Sequence, residues 1–281
     1  MQYVKCHHTI EDFLERCGTH LEIHEVENGL MLGLVLREQK LGGNTSDVIL
    51  LSVWERDDFK GAAIQTPPRN LVISQMGKEA IEAMVEYLLE HHVEFPGIVG
   101  PEPTVGTFAA AWKYSTGNSW SLHMKQMMYA LHEVIPVNGI PGTCIQASTD
   151  ALEIVAKWFQ AFGMEALPFN APPTWSQSLE DAARRIGKEE IFLWKLGDSY
   201  RSMAGVSSPT PNGIRVNGVF TPKEYRGKGY ASTHVATVSQ LQLAQGRKFC
   251  FLYTDATNPT SNKVYQQIGY QFVCHGGLYI F

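Results

Sequence analysis

Between Arg226 and Ala231 the chain reads RGKGYA, with Lys223 just upstream. Gly227, Gly229 and Ala231 leave the backbone bare, and Lys223, Arg226 and Lys228 surround it with positive charge. An apolar run, NGIRVNGVFT, precedes this stretch and a helix-like run, Ala231 to Gln245, follows it. The first N–H groups of a helix have no partner within it, and they lie at the positive end of its dipole. A strand-to-helix junction of this composition therefore suits an anion, and glycines let phosphate oxygens approach the N–H groups. The same residue types also make ordinary turns. A dinucleotide fingerprint is a third reading, since Gly227-x-Gly229-x-x-Ser232 comes close to G-x-G-x-x-G. It fails at the last glycine, which is a serine. It fails again upstream, where the strand ends an antiparallel meander instead of opening a parallel βαβ unit. Arg247 and Lys248, rather than a carboxylate, stand near the ribose-binding position.

Asn258-Pro259 is the next informative pair. Asn favours the N-cap and Pro the first helical position, so a helix starts there and carries Tyr265 about two turns in. A tyrosine at that position either packs beneath the sheet or presents a phenol of ordinary pKa near 10 as a proton donor. Asp255, Glu224 and His234 are further ionisable groups in this region, and the sequence singles out none as a general base.

The two motifs together, on a strand–helix–strand–helix frame spanning Leu193 to Phe281, resemble the GNAT family of N-acetyltransferases. Its pyrophosphate motif, R/Q-x-x-G-x-G/A, is matched at every fixed position by Arg226-Gly227-Lys228-Gly229-Tyr230-Ala231. Its later motif, an Asn seven residues before a Tyr and then a Gly-aromatic pair, is matched by Asn258, Tyr265 and Gly269-Tyr270. The resemblance implies an acetyl-CoA-dependent acetyltransferase acting on a small-molecule or peptide amine. Acetyl-CoA is the implied co-substrate, with no metal. Main-chain groups of Val219, Phe220 and Thr221 would hold the pantetheine arm, an N–H near Val219 serving as oxyanion donor. The N–H groups of Gly227, Lys228, Gly229, Tyr230 and Ala231, beside Arg226, would hold the pyrophosphate. Asn258 and Ser261 would also contact the cofactor, and Tyr265 would protonate the departing thiolate. Two alternatives remain open: a non-catalytic acyl-CoA-binding sensor, or a transferase with a different acyl group or a hydroxyl acceptor.

The elements around these residues repeat. The first half reads as a helix from Thr9, an apolar-periodic run (EVENGLMLGLVLREQK), three β-like runs, an amphipathic helix (GKEAIEAMVEYLLEHHV), a short strand, a helix and an alternating stretch. The segment PVNGIPGT, Pro136 to Thr143, interrupts regular structure. The second half then repeats the order: strand, a helix begun by an Asp150/Glu153 capping box, a helix over about 178–186, a meander, helix, strand, helix. YQFVCHGGLYIF ends it, read as a hairpin turning at Gly276-Gly277. The expected fold is α/β of the α+β type: two tandem GNAT-like units, each a mixed, mostly antiparallel sheet flanked by helices. Residues 1–137 form the first and 138–281 the second, which bears the cofactor site. The first unit has one glycine and one lysine, Gly77-Lys78, where the phosphate loop belongs, and lacks the Asn-to-Tyr spacing. Tyr114 is expected in its core. This unit reads as degenerate, walling off the acceptor pocket.

At 281 residues, with 44% hydrophobic and 18% charged residues, the chain is long enough for two domains. A net charge of −5 argues against a nucleic-acid-coating surface, and no run of apolar residues suggests a membrane span. Five cysteines without a CxxC pair, and no leader-like pattern at MQYVKCHHTI, point to reduced thiols and a cytoplasmic protein. Cys6-His7-His8 and His91-His92 offer metal-ligand types, but adjacent ligands rarely close a site, and no metal is expected. Trp175 and Phe169 are candidates for lining the acceptor pocket.

Overall fold

The computed structural model describes residues 2–42, 48–137, 139–166 and 172–281. The first half runs β1 (Gln2–Cys6), α1 (Ile10–Ile23), α2 (Gly29–Lys40), β2 (Ile49–Glu55), β3 (Asp58–Gln65), β4 (Leu71–Ile73), α3 (Lys78–Glu90), β5 (Gly97–Pro101), α4 (Thr104–Thr116) and β6 (Ser121–Leu131). The second half runs β7 (Thr143–Gln146), α5 (Leu152–Ala166), α6 (Trp175–Gly187), β8 (Ile191–Leu196), β9 (Ser199–Ser207), β10 (Gly213–Phe220), α7 (Tyr230–Ala244), β11 (Phe249–Asp255), α8 (Pro259–Gln267) and β12 (Gln271–Ile280). The duplication is explicit in this order.

All twelve strands form one sheet, ordered β1-β2-β3-β4-β5-β12-β6-β11-β10-β9-β8-β7. Adding six to every strand of the first half gives its counterpart in the second, so the sheet has pseudo-twofold order about the β12–β6 pair. The last strand of each half is inserted into the other half. β6 lies between β12 and β11, and β12 lies between β5 and β6. Among the described residues, only β4–β5 and β10–β11 are parallel. Four cores cover the two faces of the two halves. Tyr129 and Leu131 of β6 are wholly buried in the second half's core, alongside Tyr270.

The expected terminal hairpin is therefore a single ten-residue strand. Gly276 pairs with both Pro101 and Gln126, and Gly277 with both Gly100 and Lys125. A Cβ on Gly276 would lie 2.6 Å from Met128 Cε, and one on Gly277 2.7 Å from Glu102 Oε1. These glycines serve close packing between two neighbours, a demand that leaves the same letters as a turn.

Caps set several boundaries. Thr9 accepts from the Asp12 N–H as predicted, although α1 continues to Ile23. The Asp150/Glu153 box is absent: a 3-10 turn over Thr149–Ala151 leads into α5. The capping box of this half stands at Thr174 and Gln177, which starts α6 three residues before the expected position. Tyr114, expected in the core, is 93% exposed, because the buried stripe of α4 runs through Val105, Phe108, Ala109 and Trp112. Among the described residues, no helix is long and apolar enough to cross a membrane.

Candidate active site

Strands β10 and β11 run parallel only over Gly213↔Phe249, Ile214↔Cys250 and Arg215↔Phe251. Beyond that point β11 stays paired to β6 as far as Asp255, while β10 follows β9 through a bulge between Asn217 and Phe220. Gly218, at φ 57°, sits in this bulge, a left-handed conformation that glycine adopts without steric cost. The result is a wedge between two parallel strands. Along its β10 side the backbone of 216–220 has no ladder partner on β11, while Val216, Asn217 and Phe220 stay paired with β9.

The loop after β10 ends at the N-terminus of α7. Gly227 (φ 73°) and Gly229 (φ 83°) are both left-handed, and Gly229 is the N-cap. A Cβ at Gly227 would meet nothing, and one at Gly229 would come 3.5 Å from Ile140 Cγ2. Backbone conformation, in addition to access, thus calls for glycine here. The first bond of the helix runs from Thr233 N–H to Gly229 C=O, which leaves the N–H groups of Tyr230, Ala231 and Ser232 free at the positive end of α7.

The basic side chains build this loop. Arg226 donates through Nε to the Thr221 carbonyl at 2.8 Å and through Nη2 to Glu165 of α5 at 2.6 Å. Its guanidinium lies over the Phe220 ring. Lys228 donates to the Glu224 carbonyl at 2.9 Å. Val219 is half-buried, whereas Phe220 and Thr221 are buried and accept hydrogen bonds or pack inward. The Phe220 carbonyl accepts from Ser202 Oγ and the Thr221 carbonyl from Arg226 Nε. A surface cavity of about 570 Å³ opens beside the loop, lined by Trp158, Tyr200, Phe220, Lys223 and Tyr225 among others.

On the other side of the wedge, Asn258 caps α8 by accepting from the Ser261 N–H at 3.1 Å. Asn262 holds the end of β11 by accepting from Thr254 Oγ1 and donating to the Asp255 carbonyl. The Asp255 carboxylate accepts from the Thr257 N–H and hydroxyl at 2.8 and 2.7 Å, which assigns it to bracing the turn. Tyr265 is half-buried with its ring 5.8 Å from that of Tyr270, and burial pushes its pKa up to about 12. The phenol is therefore fully protonated at neutral pH. His234 is wholly buried, neither ring nitrogen has a hydrogen-bond partner among the described residues, and burial pulls its pKa down to about 3. It is a neutral core residue of α7, near Trp194.

In the first half the equivalent place is closed. Leu71↔Ile98 and Val72↔Val99 pair in parallel, and a Cβ on Gly100 would lie 2.4 Å from the Ile73 carbonyl oxygen. Met76 N–H donates to Thr104 Oγ1 at 3.3 Å, joining the loop before α3 to the start of α4. Gly77, the N-cap of α3, has an ordinary φ of −75°. His7, one of the tempting metal-ligand types, is held between Asp12 and Ser52, each at 2.6 Å. His91 stacks on Tyr87. Trp175 opens α6 and is 44% exposed, and Phe169 lies outside the described residues.

The residues that sequence reasoning overlooked sit at the root of the wedge. Arg215 occupies the last position of β10 paired with β11, with its guanidinium 5.8 Å from the centre of the Tyr253 ring. The Tyr253 hydroxyl donates to the Val26 carbonyl (2.8 Å) and accepts from the Leu30 N–H (3.2 Å), both from the first half. Glu25 accepts from the backbone N–H groups of Asn212 and Gly213 at the start of β10. A lone arginine in the apolar run NGIRVNGVFT was the available signal.

Residues 153–270 match the sequence profile of the Acetyltransferase (GNAT) family. No curated protein sequence matches the chain. Among solved structures, a GNAT-family acetyltransferase from Colwellia psychrerythraea aligns with TM-score 0.57 at 13% identity, covering 99% of this chain and 98% of that one. A Drosophila protein aligns with TM-score 0.65 at 10% identity, over 100% and 99% of the two chains. A tandem GNAT protein from the clavulanic acid biosynthesis pathway aligns with TM-score 0.54 at 10% identity, over 99% and 97%. At these identities the likeness is one of fold. Residues 153–270 are thus a domain of the acetyltransferase (GNAT) family, set in a chain with the tandem GNAT fold.

Proposed function

We propose that this protein is a cytoplasmic acetyl-CoA-dependent N-acetyltransferase with a single active site, carried by residues 138–281, and a first unit, 1–137, that has no cofactor site. The observation that carries this reading is the wedge between β10 and β11 joined to a glycine-rich helix N-terminus. One end suits an extended arm and the other a pyrophosphate. The closed strands β4 and β5 support the assignment of one site rather than two.

Acetyl-CoA, as substrate, would supply the activated acyl carbon. The N–H groups of Tyr230 to Ser232 bind its pyrophosphate, and Arg226 and Lys228 add positive charge while fixing the loop. Free backbone groups near Val219 align the arm and place an N–H donor toward the thioester carbonyl. The neutral amine nitrogen forms a bond to the acyl carbon as the carbon–sulfur bond breaks. The proton needed by the thiolate comes from the Tyr265 hydroxyl, which is reprotonated from solvent, and the proton lost by the amine passes to solvent.

A sensor that binds acyl-CoA without turnover is the second reading, favoured by the engagement of Asp255 in its turn and the burial of His234, which leave no evident base. Acetyl-CoA should raise the melting temperature, and CoA release across small amines, amino acids, aminoglycosides and peptides should identify an acceptor. Stabilisation without release from any amine or alcohol would reject the transferase in favour of the sensor. Release with another acyl-CoA, or with alcohols, would redefine the donor or acceptor.

A further inference from the structure

From the charge at the root of the wedge we infer that the acceptor is an amine bearing a carboxylate, an amino acid or a compound ending like one, and that Arg215 binds that carboxylate. This deepens the transferase reading and rests on its placement of the thioester in the wedge.

Arg215 is the unusual cation of this region. Its side chain is partly buried, and Nε is sealed from solvent without a hydrogen-bond partner. Among the described residues its guanidinium donates no hydrogen bond and forms no ion pair; its one close neighbour of note is the Tyr253 ring. Three acidic side chains, Glu25, Glu27 and Glu190, have partners of their own. Glu25 accepts from Asn212 and Gly213, and Glu27 faces His24 at 3.4 Å. Glu190 pairs with Arg185 at 3.1 Å. A partly desolvated guanidinium that lacks a counter-charge is costly unless something supplies one. A planar guanidinium is matched by a carboxylate, which can accept two parallel N–H bonds.

The position fits the chemistry. Arg215 is the last residue of β10 paired with β11, so its side chain stands where the wedge begins. Gly218, in the bulge, is three residues further on, about 10 Å of strand, a distance that an arginine side chain and a small amino acid together can span. Asn217, the next residue on that face, is fixed by Arg185 Nη2 at 2.8 Å and by Ser207 at 2.6 Å. Tyr253 cannot swing away, because its hydroxyl is held by Val26 and Leu30. The first half thus positions the floor of a specificity pocket in the second.

The test compares glycine, alanine, glutamate and phenylalanine with their carboxamides, by CoA release and by thermal shift in the presence of CoA. The amide amines are the less basic, so a preference for the acids runs against amine reactivity. The acids should be favoured by about 10- to 100-fold in kcat/KM, the range for losing a hydrogen bond to a charged group. Arg215→Met should remove that preference while acetyl-CoA binding stays intact, and Arg215→Lys should restore part of it. Amides or simple amines used as well as acids by both wild type and Arg215→Met would overturn the inference. If nothing is acetylated, the transferase reading fails on its own. An acid-specific thermal shift lost in Arg215→Met would still uphold the carboxylate site, and its absence would overturn it.

Discussion

Replacing Gly229 by glutamate separates the two demands made on the phosphate loop. At φ 83° an L-residue in place of Gly229 costs about 1 kcal/mol of folding stability, about 2–4 °C in melting temperature for a protein of this size. The added carboxylate would stand at the mouth of α7, where the free N–H groups of Tyr230 to Ser232 would meet the pyrophosphate. At about 4 Å and an effective dielectric near 20, repulsion between two unit charges reaches about 4 kcal/mol, and partial solvation lowers this to about 3 kcal/mol. That is roughly a 150-fold weaker dissociation constant. With acetyl-CoA at about 100 times the wild-type Kd, the ligand stabilises the wild type by about 2.7 kcal/mol, but the variant by only about 0.3 kcal/mol. Differential scanning fluorimetry with and without acetyl-CoA, checked by calorimetric titration, reads both quantities. Gly229→Ala is the control, since it carries the backbone cost without the charge and should keep most of the ligand-induced shift. A Gly229→Glu protein that folds and gains the full wild-type shift would refute the placement of the pyrophosphate on this loop.

Three further outcomes are expected. Tyr265→Phe should lower kcat by about 100-fold or more with little change in acetyl-CoA affinity, and full-speed turnover would remove Tyr265 from the chemistry. Because burial holds this phenol's pKa at about 12, its ionisation should not cause a fall in wild-type kcat as pH rises toward 10. Fragments 1–137 and 138–281 should be insoluble or unfolded apart and recover a cooperative transition when co-expressed, because β6 and β12 are each built into the other half; soluble, folded, isolated fragments would contradict the shared sheet. Burial pushes the Asp12 carboxyl up, but hydrogen bonds from His7, Lys5 and Arg16 outweigh it and hold its pKa at about 2. Its folded pKa lies below the unfolded value near 3.8, so its contribution is present above pH 4 and lost as pH falls toward 2. Asp12→Asn should flatten that part of an acid-unfolding curve measured by circular dichroism, and an unchanged acid limb would argue against this contribution.

What the sequence determined by itself was local. Periodicity located the helices, Thr9 and Asn258 announced their caps, and RGKGYA announced a glycine-capped helix start because glycine spacing and helix-start chemistry are fixed by neighbouring residues. Even the duplication was visible, as a repeated order of elements. The tertiary structure decided everything that depends on partners distant along the chain. Gly276-Gly277 carries the letters of a turn, yet its backbone pairs with two strands far back along the chain, around Pro101 and Gln126, and no local pattern encodes that choice. Whether two parallel strands part depends on which outer neighbour each follows. β10 turns with β9 and β11 stays with β6, whereas Ile73 and Gly100 remain in contact. Arg215 is a single letter in an apolar run, and only folding shows that nothing described answers its charge. Hydrogen-bond geometry along the backbone is written in adjacent residues, while the solvation and pairing of a buried charge are set by the whole molecule.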